Sequence, residues 1–120
     1  MERKPKEIDY RSVLIPVHGK LRGSQARKLG ETLERLYKEG YDQVVLDLAD
    51  CLSIDSVGAL SIERALDLGQ RLYLVVVPGF PLEDFLPPEL GADPRLRFFA
   101  EVSEAVRHVR SKEESGLLLV

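Results

Sequence analysis

QVVLDLADCLSIDSVGALSI, residues 43–62, is the stretch whose reading decides the fold. It opens as QVVLDLA (43–49), an apolar run broken only near its end. That pattern suits a strand buried on both faces of a sheet rather than a half-exposed one, which would alternate. A polar turn is expected next, followed by Asp55-Ser56. From Ser56 to Leu68, SVGALSIERALDL has apolar residues at helical spacing, and Gly69 stands where a helix stop belongs. A buried strand that hands over to a helix is the repeating unit of an α/β sheet.

The same alternation extends outward on both sides. SVLIPVHG (12–19) reads as a strand, with Pro16 indicating an edge position or a bulge, and EIDY before it as a short hairpin partner. SQARKLGETLERLYKEG (24–40) reads as an amphipathic helix with Ser24 as N-cap and Gly40 as the stop. Ala26, Leu29, Leu33, Leu36 and Tyr37 share its apolar face, while Gly30 costs about 1 kcal/mol of helix propensity relative to Ala. RLYLVVV (71–77) is a second central strand, ended by Pro78-Gly79. The proline-rich GFPLEDFLPPELGADP (79–94) predicts only a helical turn or two around 82–86 and then loop. LRFFA (96–100) reads as a last edge strand and EVSEAVRHVRS (101–111) as a terminal helix. The expectation is one α/β domain over residues 1–112, with a C-terminal tail at 113–120 that ends in LLLV.

Bulk properties exclude several classes. With 120 residues there is room for one compact core. A net charge of -3, with no basic run interleaved with aromatics, provides no field for nucleic acid or an anionic membrane. No apolar run approaches the ~20 residues that span a bilayer. MERKPKEIDY lacks the apolar centre of a signal peptide, and the single Cys51 allows no internal disulfide, so a cytoplasmic setting is expected.

Few residues offer chemistry. His18 and His108 have no Cys, Asp or Glu at ligand spacing, and no GxGxxG or GxxxxGK[ST] stretch would cradle a phosphate. No metal or cofactor is expected. Cys51 precedes the helix start by several residues and reads as a small, half-buried side chain. Asp47, Asp50 and Asp55 raise the alternative of a response-regulator receiver. Against it, the early strand ends VHGK without an acidic pair, and the late one ends VVVPGF without lysine. Asp55 places negative charge at the positive end of a helix. Ser56 suits two roles there. Its hydroxyl could cap the helix, or it could accept a phosphate on an exposed rim beside free N–H groups. Gly58 and Ala59 are small enough for a partner's backbone to come close.

VVLDLADCLSIDSVGALSI resembles the signature of the STAS domain as found in anti-sigma factor antagonists. Asp55, Ser56 and Gly58 match its Asp-Ser-x-Gly motif, and Gly19 and Leu21 resemble the family's Gly-x-Leu turn before the first helix. The likeness runs from about residue 7 to residue 110. It implies a mixed four- to five-stranded sheet with about four helices packed mostly on one face. It also implies a non-enzymatic protein-binding module that captures an anti-sigma factor with serine-kinase activity. That factor phosphorylates Ser56, and a serine phosphatase resets it. The implied docking surface comprises Gly19, Leu21, Arg22, Asp55, Ser56, Val57 and Gly58. Arg22 stands where family members often carry Asp, and Val57 where Ser, Thr or Ala is common. The family also includes unphosphorylated accessory subunits of transport or sensory complexes, and in such a chain Ser56 would be only a cap. A small enzyme built on the Asp/Cys cluster is the remaining alternative.

Overall fold

The computed structural model describes residues 5–80 and 86–118, with side chains as far as Arg110. In chain order the elements are β1 (Lys6–Asp9), β2 (Ser12–Leu21), α1 (Gly23–Lys38), β3 (Gln43–Ile54), α2 (Ser56–Leu68), β4 (Arg71–Val75), α3 (Pro88–Gly91), β5 (Leu96–Phe99) and α4 (Val102–Leu118). The five strands form one sheet in sequence order, with β1 antiparallel to β2 and the other pairings parallel. The expected mixed α/β sheet is therefore the one found. It differs from a doubly wound receiver-type sheet, whose strand order reverses at a switch point.

The order dictates the layers. Parallel strands that follow one another across a sheet are joined by right-handed crossovers, so every crossover falls on the same face. Ala26, Leu29, Leu33 and Leu36 of α1 and Ile62, Ala65 and Leu66 of α2 accordingly bury against Val44, Leu46, Leu72 and Leu74, and Leu90 of α3 joins the same cluster. The opposite face of β3 and β4 shows Val45, Tyr73 and Val75, and α4 covers it with Ala105 and Val109. A continuous apolar run in β3 was the right sign of burial from both sides.

Several local expectations are corrected. Of the two readings of Pro16 the bulge holds and the edge position does not: β2 lies between β1 and β3, and its register slips between Pro16 and His18. The bulge accommodates the proline, which has no N–H to give the ladder. Ser24 lies inside α1, whose N-cap is Arg22 with no side-chain capping bond. Residues 50–54 are strand rather than turn, because β2 continues beside them as far as Leu21. Gly40 and Gly69 do end their helices, both at positive φ. α3 begins at Pro88, a first-turn position where the missing N–H costs nothing. The turn expected around 82–86 falls mostly outside the described residues. α4 continues to Leu118, beyond the 101–111 expected.

Candidate functional site

β4 pairs with β3 only from Gln43 to Asp47. Beyond that point β3 pairs, among the described residues, with β2 alone, in register pairs from His18↔Asp50 to Leu21↔Ile54. The two strands leave the carboxyl edge of the sheet as a two-stranded ribbon. Its tip carries Arg22-Gly23 at the start of α1 and Asp55-Ser56 at the start of α2. Gly19, at φ 72, takes up one of the register slips in this ribbon, so it is a bulge residue within β2 and not part of a turn.

One carboxylate ties the tip together. Asp55, the N-cap of α2, accepts from the Gly58 N–H through Oδ1 at 2.9 Å and from the Gly23 N–H through Oδ2 at 2.8 Å. Gly23 is the first residue of α1, so the acid satisfies orphan donors at both helix starts. Its own N–H donates to Leu21 O at 3.3 Å, which closes the end of the ribbon. Partial burial pushes the carboxyl up in pKa. The amides of Gly23, Gly58 and Val57 and the nearby charge of Arg22 outweigh that, and Asp55 lies below the usual carboxylate range.

Ser56 is thereby relieved of the capping role. It is the first residue of α2, it is exposed, and its hydroxyl makes no hydrogen bond among the described residues. Arg22 is likewise exposed and makes no hydrogen bond or ion pair through its side chain among them. Of the other expected surface residues, Val57 is half-buried against the core, and Gly19 is half-buried. Leu21 is 1 % exposed and Gly58 is buried, so these two shape the tip from beneath. A Cβ on Gly58 would lie 2.7 Å from Ile54 Cγ2 and 3.3 Å from Leu21 O. The small residue is needed for the chain's own packing, not for a partner's approach, and Ala59 is buried as well.

The remaining candidates separate. Asp47 accepts from the Ala49 N–H, Asp50 faces His18 (Nδ1 to Oδ2, 3.3 Å), and Asp55 caps. No group of three His, Cys, Asp or Glu that could hold a metal occurs among the described residues. Cys51 is buried in β3, where burial pushes its thiol pKa up, the opposite of an activated nucleophile. The His18–Asp50 pairing was missed because only the parallel register brings residues so distant in sequence together. Two exposed leucines near the tip were missed as well, Leu52 at 69 % and Leu60 at 47 %. Leu60 lies one helical turn beyond Ser56, on the same side of α2. The helical spacing of 56 and 60 was the available signal. An apolar groove of about 730 Å³ at the carboxyl ends of β4 and β5 is lined by residues such as Val76, Phe80, Leu86 and Phe98. Among the described residues its lining offers no ionisable or hydroxyl side chain.

No protein-family model matches the sequence, and no curated protein does. Solved structures do match. The unphosphorylated form of the anti-sigma factor antagonist SpoIIAA aligns with a TM-score of 0.67 at 16 % identity, over 89 % of this chain and 96 % of that one. The phosphorylated form of the Bacillus cell fate determinant SpoIIAA gives 0.62 at 15 %, over 88 % and 97 %. An anti-sigma factor antagonist from Mycobacterium paratuberculosis gives 0.71 at 16 %, over 92 % and 95 %. The chain has the fold of the anti-sigma factor antagonists, which is the STAS fold that its Asp-Ser-x-Gly stretch resembles.

Proposed function

We propose that this chain is a regulatory protein-binding module of the anti-sigma factor antagonist type. It docks through the tip formed by the starts of α1 and α2, and phosphorylation of Ser56 switches it. The observation that carries this reading is the division of labour at the tip. Asp55 holds the helix starts, so the Ser56 hydroxyl stands exposed and uncommitted. A phosphate there adds about -1.5 to -2 charges to a docking surface without removing any bond the fold depends on. SpoIIAA, similar over nearly its whole length, exists in unphosphorylated and phosphorylated forms. By the same likeness, the partners are an anti-sigma factor with serine-kinase activity and a serine phosphatase, in the cytoplasm. The chain itself is a binding protein rather than an enzyme.

The test is peptide-level mass spectrometry of the protein from its own cells, with phosphatase treatment as control. The expected result is a phosphate on Ser56. Ser56→Ala should abolish it while changing stability by less than about 0.5 kcal/mol, since the hydroxyl is no cap. Ser56→Asp should weaken capture of the partner kinase. A peptide that stays unmodified through growth and stress, with Ser56→Asp binding its partner as the wild type does, would instead favour a constitutive docking subunit.

A further inference from the structure

A second residue belongs to the switch. We infer that Arg22 is the intramolecular partner of the phosphate on Ser56, so that phosphorylation adds an anion to the docking tip and withdraws a cation from it. The inference rests on the reading of Ser56 as phosphoacceptor and adds the residue that receives the phosphate.

The placement is fixed by a backbone bond, Asp55 N–H to Leu21 O at 3.3 Å, and by the Asp55 carboxylate. The Gly23 N–H sits 2.8 Å from Asp55 Oδ2, which brings the Arg22–Gly23 peptide against the residue that precedes Ser56. Arg22 is the N-cap of α1 and Ser56 the first residue of α2, so the two flank one carboxylate at one tip. Both are exposed. Neither side chain makes a hydrogen bond among the described residues, so neither must give up a contact to pair. The Asp55 carboxylate feels the Arg22 charge, but its two oxygens are already occupied by the amides of Gly58 and Gly23. A guanidinium pairs with a dianionic phosphate through parallel N–H···O bonds that a long, flexible side chain can reach, and such pairs outbid a singly charged acid. The exchange of partner is local and needs no refolding. It also removes the anomaly of an N-cap that cannot accept a hydrogen bond: Asp55 does the capping, and position 22 is left for charge.

Genetically encoded phosphoserine at position 56 tests the pairing without depending on any cellular kinase. The second ionisation of that phosphate, ordinarily near pH 6, is followed by ³¹P NMR. A neighbouring guanidinium favours the dianion, so Arg22→Ala should raise the midpoint by about half a pH unit or more, with Arg22→Lys in between. Lys20→Ala, which removes a nearby cation from β2, should move it much less. Equal midpoints in wild type and Arg22→Ala would overturn the pairing, as would equal shifts from Lys20→Ala and Arg22→Ala. Either failure leaves Ser56 phosphorylation standing. Conversely, a correct midpoint shift with no phosphate ever found in cells would sink the phosphoacceptor reading alone.

Discussion

At the scale of the residue, Asp55 carries the most weight. A single carboxylate caps its own helix and binds the first amide of another, 32 residues away in the chain. Replacing an N-cap acid with Ala costs about 1 kcal/mol for one helix, so Asp55→Ala should cost roughly 2 kcal/mol in denaturant unfolding at neutral pH. The pH dependence follows from the direction of its shift. The folded carboxyl lies below its ordinary value, so the contribution is complete above the unfolded pKa, about 3.9. It is lost as pH falls through the lower folded value. The gap between wild type and Asp55→Ala should hold from pH 7 to about pH 5 and narrow toward pH 3; a gap that widens with acid would contradict the assignment. The sequence offered Ser56 as the cap and Asp55 only as a charge at the helix start; the structure moves the cap to Asp55, a shift local chemistry does not decide because Asp and Ser are near-equal caps. What distinguishes them is the Gly23 amide, and its position is set by the pairing of β2 with β3.

At the scale of the element, the ribbon of β2 and β3 beyond the end of β4 is the structure that presents the site. Gly58 packs the first turn of α2 onto that ribbon, and an added methyl would meet Ile54 Cγ2 and the backbone oxygen of Leu21. Backbone cannot rotate away as a side chain can. Gly58→Ala should therefore destabilise by about 1–3 kcal/mol despite its better helix propensity. Amide chemical-shift changes should gather at residues 19–24 and 52–60; changes spread evenly over α1 and α2 would argue against a local clash. The helices and their glycine stops were legible because amphipathic spacing and caps are local signals. The ribbon was not. DCLSI carries no run of apolar residues, and a proline stood in its neighbour, so local chemistry favoured a turn. Pairing supplied by a distant strand, with two register slips to absorb Pro16 and Gly19, overrode it.

At the scale of the whole molecule, the sequential parallel order separates two jobs. The crossovers place α1, α2 and α3 on one face, and of the described helices only α4, after the last strand, lies on the other. α4 there seals a smaller cluster in which Tyr73, Phe99 and His108 pack ring against ring, and Tyr73 Oη donates to Gln43 Oε1 at 3.0 Å. That cluster supports the sheet from behind, and its described members include none of the residues of the ribbon tip or of the starts of α1 and α2. Val109 is fully buried in it. Removing two buried methyl groups should cost about 2 kcal/mol once the cavity left behind is counted. Val109→Ala should therefore lower the midpoint of unfolding while leaving the amide chemical shifts of residues 19–24 and 52–60 as in the wild type, at a temperature where both are folded. The same variant combined with Asp55→Ala should show additive losses, because Val109 packs in the rear cluster and the described partners of Asp55 lie at the ribbon tip. A strong coupling between them would mean that the ribbon tip and the rear face are one mechanical unit, and that α4 does more than hold the sheet closed.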